Sequence, residues 1–221
     1  IGNSAVKWRS HGSEVFTKEI NQFSSKLLPK ADSVWLSAVA HLNIVEEIKA
    51  GFTSVNLVKP SKLYGKLTLS YDDSSKFGVD RFLAILGALE LFSESPLLVI
   101  DAGSAVTFDV IDNQGMHQGG LIMPGIKALR ESFIKFSTND ISLKTSEHKN
   151  NTKEAWQNGT HAMLVSAINS QIQNFELQYP DGVVTICGGI VKEILIELPL
   201  SVKFFDNLVL DGLESYSQSM G

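Results

Sequence analysis

The stretch LLVIDAGSAVTFDV, Leu97 to Val110, decides how the rest of the chain is read. An apolar run of strand character stops at a carboxylate, Asp101, and turns through Ala102, Gly103 and Ser104. It then resumes through Thr107 and a second carboxylate, Asp109. Glycine lets the backbone approach a ligand closely, and the hydroxyl and N–H of a following Ser suit phosphate oxygens. A carboxylate at a strand end can hold a cation beside those oxygens. The plain alternative is a strand ending in an ordinary Asp-Gly turn. Taken alone, the stretch supports both.

Other apolar segments, residues 34–39, 96–100, 183–186 and 202–205, also read as buried strands. Between them, residues 15–28, 81–92, 154–175 and 192–198 carry apolar side chains at helical spacing. Strands alternating with helices predict an α/β protein with at least partly parallel sheets. The punctuation SESP at residues 93–96 ends a helix and opens a strand, which places a domain boundary there. The expected domains are 1–94 and 95–221, with the last helix able to pack back on the first. Residues 137–151 are polar and aperiodic and read as an exposed loop of a length that is often functional. Each half opens with a small-residue corner, Gly2-Asn3-Ser4-Ala5-Val6 and Gly103-Ser104-Ala105-Val106, so a duplication is worth entertaining.

Composition narrows the function classes. At 43% hydrophobic and 19% charged, the chain has the make-up of a globular domain. A net charge of −5 argues against broad contact with nucleic acid or anionic membranes. One cysteine, Cys187, excludes an intramolecular disulfide and a CxxC zinc site, which suits a reducing cytoplasm. No apolar run has the length of a membrane span, and the opening residues lack a secretory-signal pattern. The expected localisation is cytoplasmic.

Four further motifs carry chemistry. In FGVDRF, residues 77–82, Asp80 and Arg81 sit where a loop enters an apolar helix. Asp80 there complements the helix dipole, or it serves as general base toward a hydroxyl with Arg81 clamping an anion and Tyr71 lining the same pocket. GGLIMPG, residues 119–125, fits a strand that must turn against another backbone, with His117 a polar turn residue ahead of it. Thr152 reads as the N-cap of the long helix. In TICGG, residues 185–189, the diglycine suits close approach of a sugar or base, and Cys187 reads as a core filler.

In this order the motifs resemble type III pantothenate kinases, members of the sugar kinase and actin-like ATPase superfamily. The resemblance runs through IGNSAVKW, SVWLSAV, Tyr71 with GVDR, DAGSAVTFDV, HQGGLIMPG, NNTKEAWQNG, TICGG and NLVLDGLESY. It implies two duplicated ribonuclease-H-like (actin-like ATPase) α/β domains, each with a central mixed sheet, and ATP in an interdomain cleft. It also implies ATP-dependent phosphorylation of pantothenate, the step committing it to coenzyme A. By the same resemblance Asp80 is the catalytic base, and Tyr71, Gly78, Val79, Asp80, Arg81 and Thr152 bind pantothenate. Gly2, Asn3, Ser4, Lys7 and Ser104 bind ATP, and Asp101 holds a monovalent cation, potassium or ammonium. Magnesium accompanies the phosphates, and Thr152 reaches the neighbouring site of a homodimer.

There are departures. The family's first motif reads Asp-x-Gly-Asn-Thr/Ser, and its Asp would fall just before Ile1, so residues upstream of Ile1 are expected. Ala5 stands where Arg is frequent, while Ser104 and Cys187 each replace Thr. The rival within the family is an accessory transcriptional regulator without kinase activity. Retention of Asp80, Arg81 and Asp101 favours catalysis, because a pure binding protein needs no base.

Overall fold

The computed structural model describes residues 1–220 and divides into two units, residues 1–91 with the segment from Leu208, and residues 92–207. In the first unit, β1 (Ala5–Trp8) and β2 (Phe16–Glu19) form an antiparallel hairpin. Strand β3 (Val34–Leu36), helix α1 (Leu42–Gly51) and β4 (Val55–Leu57) form a parallel β-α-β unit. A short ladder of β5 (Leu63–Tyr64) and β6 (Leu67–Thr68) leads into α2 (Val79–Leu91).

Residues 15–28 are not the expected helix. They form β2 and two 3₁₀ turns, Ile20–Gln22 and Ser25–Leu27. Their apolar spacing serves two other ends. Phe16 stacks on Trp8 across the hairpin with ring centroids 5.8 Å apart. Ile20, Phe23 and Leu28 pack against the core of Val6, Leu36, Ile44, Val45 and Ile48. Tertiary burial outweighs a helical period when each apolar residue finds a different neighbour.

The second unit holds β7 (Leu97–Ala102), β8 (Ala105–Ile111), β9 (His117–Pro124), α3 (Ile126–Glu131), α4 (Thr152–Gln178), β10 (Val183–Cys187), α5 (Val191–Ile194) and β11 (Lys203–Phe204). Its sheet has five strands in the order β11-β10-β7-β8-β9, parallel from β11 to β7 and antiparallel from there. The central mixed sheet expected of each domain is therefore present here. The first unit has three separate two-stranded ladders instead, built from strands of two to four residues.

Helix α4 supplies Leu164, Val165, Ile168, Ile172 and Phe175 to a core with Leu98, Ile100, Ala102, Val106, Phe108, Val184 and Ile186. Side chains alternate across a strand. The even positions of β7, β8 and β10 thus face α4, and Asp101, Thr107, Asp109, Thr185 and Cys187 share the opposite face. Register aligns Cys187, Asp101 and Thr107 across three strands.

Two expectations for this unit change. His117 is not a turn residue: it opens β9, 3% exposed, and its Nε2 lies 2.9 Å from Asp109 Oδ1. A bulge between Val110 and Ile111 shifts the register there and sets His117 opposite Ile111. The N-cap of α4 is Asn151, whose Oδ1 accepts from Glu154 N at 3.0 Å, and Thr152 is the first helical residue.

Helix α6 (Leu208–Met220) belongs to the first unit and packs along α2. Gly87 and Gly212 make that approach possible. A Cβ on Gly87 would lie 2.5 Å from Leu208 O, and one on Gly212 would collide with Leu83 O. No helix among the described residues is long and apolar enough to cross a membrane.

Candidate functional site

In the first unit the corner at Phe77–Phe82 is built in three steps. A 3₁₀ turn at Ser74–Lys76 closes with Phe77 N donating to Ser74 O at 3.1 Å. Gly78 O then accepts from Phe82 N at 3.0 Å, which starts α2. Asp80 falls in the first helical turn and is half-buried, with its Oδ1 accepting from Arg81 N at 2.8 Å. Gly78 leaves room for that carboxylate, since a Cβ there would sit 2.7 Å from Asp80 Oδ1 and 3.4 Å from Arg81 Cδ. Val79 is buried.

Arg81 is 5% exposed and donates from Nη1 to Tyr71 Oη at 3.3 Å. The structure thus brings Tyr71, Gly78, Asp80 and Arg81 into one cluster.

The Gly2–Ser4 loop lies in the same unit. Gly2 N donates to Ala5 O at 3.0 Å, Ile20 N to Ser4 O at 3.1 Å, and Val39 N to Ile1 O at 3.1 Å. Asn3 and Ser4 are exposed, as is Lys7 on β1.

His41 lies outside every motif quoted above. It caps α1 in the left-handed conformation (φ 58°, ψ 54°), the one non-glycine with positive φ among the described residues. Its Nε2 lies 3.0 Å from Asn3 O. The ring braces the loop instead of capping its own helix.

In the second unit, Asp101 and Ser104 occupy the corner between β7 and β8. Gly103 N donates to Ala105 O at 2.9 Å and Gly125 N to Ser104 O at 3.2 Å. Two glycines let neighbouring backbone press onto this corner. A Cβ on Gly125 would lie 2.5 Å from Gly103 O and 2.6 Å from Ser104 O. Gly188, at φ 116°, would drive a Cβ into the Ala102 carbonyl. GGLIMPG and TICGG thus converge on the backbone around DAGS. Asp101 is half-buried and Ser104 exposed.

Thr152 is exposed at the start of α4. A cavity of about 290 Å³ lies beside that turn, lined by Lys144, Thr145, Lys149, Glu154, Gln157 and Asn158; the last three belong to NNTKEAWQNG, but none of the candidate catalytic, substrate, ATP or cation residues lines it.

The described residues contain no group of three or more His, Cys, Asp and Glu that could cage a metal. Magnesium would have to take most of its oxygen ligands from a nucleotide.

Comparison with known proteins points to one family. The family model described as Type III pantothenate kinase matches residues 1–174. A type III pantothenate kinase of Colwellia psychrerythraea is 28% identical over 219 residues, covering 92% of this chain and 86% of the relative. One from Xanthomonas campestris is 29% identical over 215 residues, covering 94% and 86%.

Among solved structures, a Campylobacter jejuni protein assigned to the Baf family of transcriptional activators aligns with a TM-score of 0.65 at 20% identity, covering 99% of this chain and 95% of that one. A Listeria monocytogenes protein assigned as an N-acetylmannosamine kinase aligns at 0.51 and 13% identity, covering 100% and 98%. At such identities these two likenesses speak to fold alone, an α/β fold that includes a mixed sheet.

Proposed function

The chain belongs to the type III pantothenate kinase family, whose members phosphorylate pantothenate in coenzyme A biosynthesis, and we propose that it performs that reaction with Asp80 as general base. The observation that carries the reading is the Phe77–Phe82 corner. A carboxylate stands there at a helix start beside a guanidinium held by a phenol.

Phosphoryl transfer through a loose transition state asks for alignment and charge neutralisation more than covalent help. Asp80 Oδ1 is fixed by the Arg81 N–H, so the carboxylate keeps one orientation. Its other oxygen takes the proton of the substrate's terminal hydroxyl. The hydroxyl oxygen bonds to the γ-phosphorus as the bond to the bridging oxygen breaks, and ADP leaves. Arg81 and Tyr71 hold the substrate's carboxylate away from the reacting end, with backbone at Gly78 and Val79 completing the contact.

Gly2, Asn3, Ser4, Lys7 and Ser104 supply N–H, hydroxyl and ammonium donors to ATP. Magnesium on the phosphates and potassium or ammonium at Asp101 supply charge neutralisation when bound. We further propose that the two units descend from one duplicated domain, and that the protein acts in the cytoplasm.

The test is pantothenate-dependent ADP release with magnesium and potassium present. Activity falls sharply when sodium replaces potassium, and indifference to the ion would count against the Asp101 site. We also propose that the active species is a homodimer in which Thr152 reaches the partner's substrate. Sedimentation of the active protein as a dimer is the expected result, and a fully active monomer would sink that role for Thr152.

A further inference from the structure

Phe77 precedes the chemistry-bearing residues, and its own side chain carries no polar group. Yet its ring lies 4.4 Å from Arg81 Cζ, and it meets the Tyr71 ring edge-on with centroids 4.9 Å apart. The Tyr71 ring centre is 5.9 Å from the same Cζ. Phe77 is 3% exposed and Arg81 5%. Two aromatic rings and one phenol oxygen therefore surround a buried guanidinium.

Local geometry makes this reproducible. The 3₁₀ turn at Ser74–Lys76 returns the chain, and α2 starts directly after Gly78, which brings Phe77 and Arg81 onto one side of the first turn.

Burying a guanidinium forfeits hydration, and an aromatic face offsets part of that loss through its quadrupole. The guanidinium is planar by itself, and a ring against it limits how that plane can turn. A plane held in this way is what a carboxylate needs for a forked pair of hydrogen bonds. A leucine in place of Phe77 would fill similar space but offer no such face.

We propose that Phe77 is a positioning residue whose ring fixes the plane of the Arg81 guanidinium toward the substrate's carboxylate. The ring acts through its electrostatic face and not through bulk alone. The inference rests on the reading of Arg81 as the clamp for that acid.

The experiment replaces Phe77 by trifluorophenylalanine, which keeps the ring's shape while weakening its quadrupole, and in a second variant uses Phe77→Leu. Full-length protein is titrated with pantothenate by calorimetry, and kcat and the ATP KM are measured in parallel. The expected result is a pantothenate Kd raised about fivefold by fluorination and about tenfold or more by leucine, with the ATP KM unmoved. An unchanged pantothenate Kd for the fluorinated ring overturns the proposal, because a packing role would not sense the quadrupole. Arg81→Lys separates the two levels. If it weakens pantothenate binding while fluorination does nothing, the clamp stands and the role of Phe77 falls. If Arg81→Lys leaves pantothenate binding intact, both fall.

Discussion

Asp80→Asn is expected to lower kcat by about 10³-fold, inside the range for loss of a positioned general base. The amide is isosteric, and its oxygen can still accept the Arg81 N–H that holds Asp80 Oδ1. What it cannot do is take a proton from the attacking hydroxyl. The Gly78 turn and the first bonds of α2 do not involve the altered atom, so the thermal midpoint stays near that of the wild type. Near-normal turnover in the variant, measured as ADP release, would remove Asp80 from the role of base. Retained pantothenate affinity alongside lost turnover separates a chemical role from a binding one.

The largest expected effect on stability is at Arg130, a residue of α3 that is completely buried. Its Nε donates to Thr160 Oγ1 at 3.1 Å, Nη1 to the carbonyls of Asp140 and Ser142 at 2.6 and 2.7 Å, and Nη2 to Gln157 O at 3.2 Å. Burial lowers the guanidinium's pKa, and the Asp140 carboxylate counters that shift. Asp140 is itself held well below the usual carboxylate range by the hydroxyl and backbone N–H of Ser142, and it also accepts from Gln157 Nε2 at 2.7 Å.

Arg130 thus ties the loop after residue 137 to α4, with help from Asn158, which donates to Glu147 O at 2.8 Å. Arg130→Met would fill the space but strand buried carbonyls that each lose a donor. The expected cost is about 3 kcal/mol, a fall of roughly 10 °C in Tm for a chain of this size. Amide hydrogen exchange in residues 138–147 should quicken more than elsewhere in the second unit. A Tm within about 2 °C of wild type would show that the staple contributes little.

Local punctuation was legible in the sequence because it is local. The apolar run that stops at Asp101 forms β7 and its corner, and the residues after Phe77 form the start of α2. Long-range pairings left no such mark. Nothing in the spacing ties Gly125 or Gly188 to the backbone at residues 102–104, although both are shaped by it.

The Arg130 network joins residues 10 to 30 positions apart and passes mostly through backbone carbonyls, which every residue has. The pairing of Asp109 with His117 depends on a bulge, and a bulge shifts the parity that would otherwise have predicted it. Residues 15–28 misled because a hairpin strand followed by two turns can place apolar residues at nearly helical intervals. Period two on β7 and β8 did hold a usable signal. Thr107 and Asp109 are two apart on β8 and so share a face, and the pairing of Thr107 with Asp101 adds the β7 carboxylate to it.

The central claim is that a phosphoryl group moves from ATP to pantothenate under the control of Asp80. Phosphorus NMR of a reaction containing the protein, ATP, magnesium, potassium and pantothenate tests it most directly. The account predicts a new phosphomonoester resonance growing in step with ADP, absent without pantothenate and nearly absent with the Asp80→Asn protein. Growth of inorganic phosphate alone, or a phosphomonoester signal undiminished in the variant, would contradict it.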